Sequence, residues 1–226
     1  MKKQIRDYVL GLGADVCGFA NIDRFSGSPK GFHPKDIFPE CESVIAFGIA
    51  LPKGLTKVDP RLIYGHFNGS IYPQLDWIAF QTAKETERLY GGYVVPVPSD
   101  DPYEYWNQDK LEGRGLISMK HTAVLAGIGT MGKNTLLLNE NFGNMLALGA
   151  ILTDLDLESD PLAESICIDG CDLCLQNCPS KALDGSSADQ MKCRPNTYGK
   201  NARGFDVVNC NQCRTVCPMR FGKKRQ

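Results

Sequence analysis

The chain has 226 residues, 42% hydrophobic and 23% charged, with a formal net charge of −1. It has no run of about 18 apolar residues and opens on "MKKQIRDYVL", which excludes a membrane span and a secretory signal and sets the expectation of a cytoplasmic globular protein. Ten cysteines in such a chain point to metal or redox chemistry rather than structural disulfides.

In chain order, Ile5, Tyr8, Val9 and Leu12 carry helical spacing, and Gly13 is a stop. "VCGFA" (16–20) reads as a strand, and "GSPKGFHPKDIFPE" as a loop. "SVIAFGIAL" (43–51) is almost wholly apolar, as a strand buried on both faces requires. Pro73 opens a predicted helix whose inner face would be Leu75, Ile78, Ala79, Thr82, Ala83, Thr86 and Leu89, closed by Gly91-Gly92. "YVVPVP" follows as an extended segment, then an acidic, aromatic loop, "SDDPYEYWNQDKLEGRG", within which "DDPYEYW" suits an active-site lid or an ordered surface loop. "LISMKHTAVLAG" is a predicted helix, and "LALGAILTDLDL" (146–157) a strand running into a loop. Helices and strands mix without repeats through residue 165, which predicts an α+β or α/β domain over 1–165. Residues 166–226 lack apolar periodicity and would be held together by something other than a large core.

Eight of the ten cysteines fall between Cys167 and Cys217. Cys167, Cys171, Cys174 and Cys178 are spaced C-x3-C-x2-C-x3-C-P. Cys210, Cys213 and Cys217 repeat C-x2-C-x3-C-P, with Cys193 upstream. These are variants of the bacterial ferredoxin run, in which the cysteine before proline ligates the other cluster. The spacing therefore assigns Cys167, Cys171, Cys174 and Cys217 to one [4Fe-4S] cluster. A second takes Cys178, Cys193, Cys210 and Cys213. Four-thiolate zinc sites are the alternative, but they do not require the two x3-C-P endings. Cys17 and Cys41 read as buried, inert residues.

Residues 167–226 carry five Asp, no Glu, five Lys and five Arg. This excess of positive charge nearly offsets the roughly −4 of two oxidised clusters with their thiolates. It suits the clusters or an acidic redox partner better than nucleic acid, and "KKR" (223–225) reads as a solvated tail.

"AGIGTMGKNTLLL" (126–138) contains G-x-G-x-x-G and most of a phosphate loop. The segment before it is helical rather than a strand, which disfavours dinucleotide binding. Asn134 replaces the hydroxyl residue that would hold Mg²⁺, which disfavours nucleotide triphosphates. A tight turn between elements, or a loop contacting some other ligand, remains.

Taken together, "AGIGTMGKNTLLLNENFGNMLALGAILTDLDLESD", the paired cysteine motifs, "GADVCGFANI" and "ESVIAFGIALP" resemble the epoxyqueuosine reductase family and, more distantly, corrinoid-dependent reductive dehalogenases. The resemblance implies a nitroreductase-like, corrinoid-type N-terminal domain and a C-terminal ferredoxin-like double-cluster module (166–226). It implies an oxidoreductase in which electrons pass through the clusters to cobalamin or to a substrate. Arg114, Gly129, Gly132, Lys133 and Asn134 are then candidates for cofactor contacts, with Lys120 beside them. Glu112 is the carboxylate nearest to where the family carries a catalytic aspartate, Gly113 falling at that position. Thr130 stands where the family carries a tryptophan. His121 and Tyr64 are further candidate proton donors, and His66 lies beside Tyr64. Family members also carry a C-terminal helical-repeat extension beyond the matching region, so tRNA contacts are not expected. A ferredoxin or flavodoxin is the expected electron donor. The alternatives are a non-catalytic electron carrier and a corrinoid reactivator.

Overall fold

The computed structural model describes residues 1–100 and 103–223. Its centre is a four-stranded sheet in the order β1-β2-β8-β3, every neighbouring pair antiparallel. The strands are β1 (Val16–Asn21), β2 (Ser43–Ala50), β3 (Val94–Val97) and β8 (Leu146–Thr153). Antiparallel pairing throughout decides for α+β over α/β.

β8 is buried along its whole length, and β2 for its first six residues. Their side chains alternate between two cores. Ile45, Phe47 and Ile151 face one, together with Ile5 and Val9 of helix α1 (Lys2–Gly11) and Leu75, Ile78 and Ala79 of helix α4 (Tyr72–Tyr90). Val44, Ala46, Leu148, Ala150 and Leu152 face the other, with Ala123 of helix α5 (Met119–Leu125). Short helices α2 (Pro34–Ile37) and α3 (Gly65–Ser70) lie in the connections, and a single π-helical turn (Pro60–Tyr64) leads into α3.

α4 buries all but one of the residues that its periodicity selects. Leu89 is exposed, because the last turn packs Tyr90 rather than Leu89 against the core. The aromatic segment is not wholly loop. Tyr105–Asn107 (β4) pairs with Glu112–Arg114 (β5) as a hairpin. The proposed lid, "DDPYEYW", includes Asp101 and Pro102, and the basic tail includes Lys224 and Arg225. Those four residues lie outside the described ones.

The glycine-rich stretch follows α5. Gly127, at φ +75°, turns the chain out of the helix. Thr130–Met131 (β6) then pairs with Leu137–Leu138 (β7). The cysteine region is built of short pieces: α6 (Leu173–Gln176), α7 (Gln190–Thr197), the ribbon β9 (Tyr198–Lys200) with β10 (Asp206–Val208), and α8 (Gln212–Thr215). Gly143, at φ +57°, lies so close to the C-terminal segment that a Cβ there would overlap the Met219 carbonyl. Among the described residues, no helix is long and apolar enough to cross a membrane.

Candidate functional site

Cys167, Cys171, Cys174 and Cys217 surround one small cavity, closed by Leu138, Ile168, Pro218 and Met219 and by Lys133 and Asn134 of the glycine-rich loop. Three of these thiols come from one segment, wrapped around the start of α6, and the fourth follows α8. Burial pushes the Cys174 and Cys217 thiols up, and the neighbouring thiols of the group push them further the same way. Like charges so placed are costly unless a cation or a metal group offsets them.

The other four thiols share an environment around Cys213. Burial pushes Cys213 up to about 11. The Arg214 guanidinium opposes this, and Cys193, Cys210 and Cys178 add to it. Cys193 projects from α7, 3.4 Å from the Thr197 hydroxyl. The Cys178 sulfur accepts the Ala182 N–H at 3.3 Å and lies 3.6 Å from the Ser180 hydroxyl. Burial acts to raise Cys178, but these hydrogen bonds outweigh it, and the net shift is downward.

The glycine-rich loop joins the two groups. The Lys133 ammonium donates to the Cys171 carbonyl at 2.9 Å, and Asn134 Nδ2 donates to the Cys213 carbonyl at 2.9 Å. Asn134 Oδ1 meanwhile accepts from Leu136 N, which fixes the rotamer that reaches across. Lys120 donates to the Thr135 carbonyl at 2.7 Å. Burial lowers its pKa, and the charges of Cys213 and Arg214 act on it. Arg214 and Asn144 are bonded reciprocally, Asn144 Nδ2 to the Arg214 carbonyl at 3.2 Å and the guanidinium to the Asn144 carbonyl. A Cβ on Gly129 would meet the Leu138 carbonyl, and one on Gly132 would meet Asn134 Oδ1 and the Leu138 side chain. What these glycines make room for is their own hairpin.

The remaining candidates are dispersed. Glu112 is paired with Arg114 at 2.7 Å within the β4–β5 hairpin, and Arg114 also lies over the Phe32 ring. His121 is exposed and bonded through Nδ1 to the Ser118 hydroxyl at 2.8 Å, at the start of α5. Tyr64 is buried, and His66 packs edge-on against Phe67.

Tyr64 nevertheless has company that periodicity did not select. Tyr72 feels the charges of Asp100, Arg214, Tyr198 and Tyr64, and burial drives its pKa upward. Tyr198, directly after α7, feels Tyr103, Arg194, Asp100 and Cys193. Tyr198 thus lies within electrostatic range of Cys193, and Tyr72 within that of Tyr198 and Tyr64. Arg194 covers the rings of Tyr103, Trp106 and Tyr198 at 5.0–5.7 Å. Gln190 pairs with both backbone groups of Gly113. Two side chains of α7 thus tie the hairpin to the helix that carries Cys193. Only the tyrosine-rich composition of 64–105 hinted at this cluster.

No protein-family profile matches the sequence. Among curated proteins, an epoxyqueuosine reductase of Staphylococcus aureus is 27% identical over 98% of this chain and 65% of its own length. An epoxyqueuosine reductase of Synechocystis sp. is 32% identical over 230 residues, which are 92% of this chain and 71% of the relative. The chain belongs to the epoxyqueuosine reductase family. It spans just under two thirds of several of the family's curated members, 65% of the S. aureus protein and 64% of that of Bacillus subtilis.

Solved structures extend the likeness of fold. An epoxyqueuosine reductase holding an epoxyqueuosine-modified tRNA-Tyr stem loop aligns with 100% of this chain and 66% of its own, with TM-score 0.70 at 20% identity. A catabolic reductive dehalogenase aligns with 98% of this chain and 32% of its own, with TM-score 0.75 at 17% identity. The stem loop in the first of these is a nucleic-acid partner of that protein, a class of partner that the charge balance of this chain had set aside.

Proposed function

We propose that this chain is an iron–sulfur oxidoreductase that carries electrons through two [4Fe-4S] clusters to a corrinoid or substrate held in its N-terminal domain. The observation that carries this reading is the cavity ringed by Cys167, Cys171, Cys174 and Cys217, with ligands from two segments far apart in sequence. The second thiol group, Cys178, Cys193, Cys210 and Cys213, completes the set. The two x3-C-P endings, which a four-thiolate zinc site does not require, favour iron–sulfur clusters over zinc. Asn211, between Cys210 and Cys213 in sequence, buries an Nδ2 donor that has no partner among the described residues, and a sulfur acceptor of a bound cluster would satisfy it.

A cluster supplies one-electron storage. The chain's own residues do the rest. Lys133 and Asn134 fix the relative placement of the two cysteine segments. Tyr64, Tyr72 and Tyr198, which interact electrostatically with one another and, through Tyr198, with Cys193, would be the groups to hold a proton for the reacting substrate. The exposed Leu62, Ile63 and Phe67, on turns packed against β10, offer an apolar face to a large planar ring such as a corrin. The electron donor in this reading is a ferredoxin or flavodoxin.

Anaerobic purification with iron and sulfide analysis, EPR, and titration with cobalamin tests the proposal. Iron with equivalent labile sulfide and a cobalamin spectral shift are expected. Zinc without sulfide would overturn the cluster reading, and clusters without corrinoid binding would leave an electron carrier. Binding of an epoxyqueuosine-modified stem loop, set against an unmodified one, decides the substrate class.

A further inference from the structure

The two C-x2-C turns are near copies. Asp172 (φ −133°, ψ 20°) precedes α6, and Asn211 (φ −138°, ψ 24°) precedes α8. The Asp172 carbonyl accepts from Leu175 N and Gln176 N, and the Asn211 carbonyl from Arg214 N and Thr215 N, all between 2.9 and 3.1 Å. Two cations attend each thiol group. Lys133 and Arg220 are bonded to the carbonyls of Cys171 and Cys217. Lys120 and Arg214 lie beside Cys213.

What differs is the residue inside the turn. Asp172 is a carboxylate whose Oδ1 accepts from Gln176 Nε2 at 2.8 Å. Asn211 is neutral and 9% exposed, and its Nδ2 is a buried donor with no partner among the described residues. Hydrogen-bond donors to cluster sulfurs favour the reduced, more negative state, and a nearby carboxylate disfavours it. A buried N–H without an acceptor is destabilising, and sulfur of a bound cluster would relieve it.

We propose that Asn211 and Asp172 set the order of the two potentials, so that the cluster at Cys178, Cys193, Cys210 and Cys213 is the more easily reduced. This rests on the two-cluster reading above. One electron from a low-potential donor of the ferredoxin or flavodoxin class reduces the first cluster and passes to the second, which ends reduced while the first is reoxidised. Cys193 of the second group is also the thiol within electrostatic range of Tyr198, so the downhill direction leads toward the candidate proton donors.

The test is an anaerobic potentiometric titration followed by EPR, on protein whose iron and sulfide content has first been shown to match two clusters. Two midpoints are expected, at least tenfold apart in the reduced-to-oxidised ratio at a given potential, or about 59 mV for one electron. The signal that is lost in Cys178→Ser identifies the second site, and it should be the upper one. Asn211→Asp should lower the upper midpoint alone, Asp172→Asn should raise the lower one alone, and the double exchange should bring the two together or invert them. Coincident midpoints in the unsubstituted protein, or an upper midpoint unmoved in a fully loaded Asn211→Asp variant, overturns the proposal. Iron content below one cluster per chain in the unsubstituted protein fails the two-cluster reading instead. If Asn211→Asp does not load, Asp172→Asn decides alone.

Discussion

Asn134 Nδ2 and the Cys213 carbonyl are 2.9 Å apart in space and 79 positions apart in sequence. The neighbouring Lys133 reaches the Cys171 carbonyl at the same distance. One short loop thereby holds both cysteine segments by their backbones. Asn134→Ala removes the contact to Cys213 and the one to Leu136 N, leaving buried groups unpaired at a cost of about 2 kcal/mol. Thermal unfolding and iron analysis should show lower stability and preferential loss of iron from the second site.

Ligand sharing between the two motifs predicts a pattern of non-additivity. Cys217→Ser should remove the same iron as Cys167→Ser, although Cys217 lies in the second motif. The double variant Cys167→Ser/Cys217→Ser should therefore lose no more than either single one. Cys210→Ser/Cys217→Ser should lose both clusters. Iron and sulfide assays on the set check this.

Asp160 anchors the N-terminal helix. It pairs with Lys2 at 2.9 Å and with Arg6, and accepts the Phe19 N–H at 3.1 Å. Burial acts to raise its pKa, but the bonds from Lys2 and Arg6 outweigh this and the net shift is downward from 3.8. A carboxyl whose folded pKa is depressed contributes stability above its unfolded pKa and loses it as pH falls through the folded value. Asp160→Asn should cost about 2 kcal/mol at neutral pH. Its stability should approach that of the unsubstituted protein as pH falls below 3.8 and through the depressed folded value, as read by urea unfolding across pH.

Gln190 Oε1 accepts from Gly113 N and Arg194 Nε, each at 3.0 Å, and its Nε2 returns a bond to the Gly113 carbonyl. Gln190→Ala should free the β4–β5 hairpin at a cost of about 1 kcal/mol. Faster amide exchange at Gly113 and new proteolytic cleavage between Tyr105 and Arg114 are the expected signs.

The central sheet was legible because β2 and β8 are apolar on both faces and read as unbroken runs. The inner face of α4 followed from its 3.6-residue period, except at Leu89, where the helix end overhangs the core. The x3-C-P endings suggested dividing eight cysteines into two groups, of which Cys167, Cys171, Cys174 and Cys217 line one cavity. The β4–β5 hairpin was not legible. Its residues are largely exposed and do not alternate, and it is held by Gln190 and Arg194 from far along the chain. The role of the glycine-rich loop escaped for the same reason. Its motif suggests a ligand, while the partners of Lys133 and Asn134 are backbone carbonyls 38 and 79 positions away, which no local pattern encodes.

The interleaving of Cys178 and Cys217 has a consequence for biogenesis. Neither thiol group is contained in one continuous stretch, so neither can close while the ribosome has yet to deliver the other segment. A chain cut or stalled between Ala182 and Asn211 would forfeit both groups together rather than keep half its capacity. In the two-cluster reading, an incomplete molecule would then lack at least one ligand of each centre.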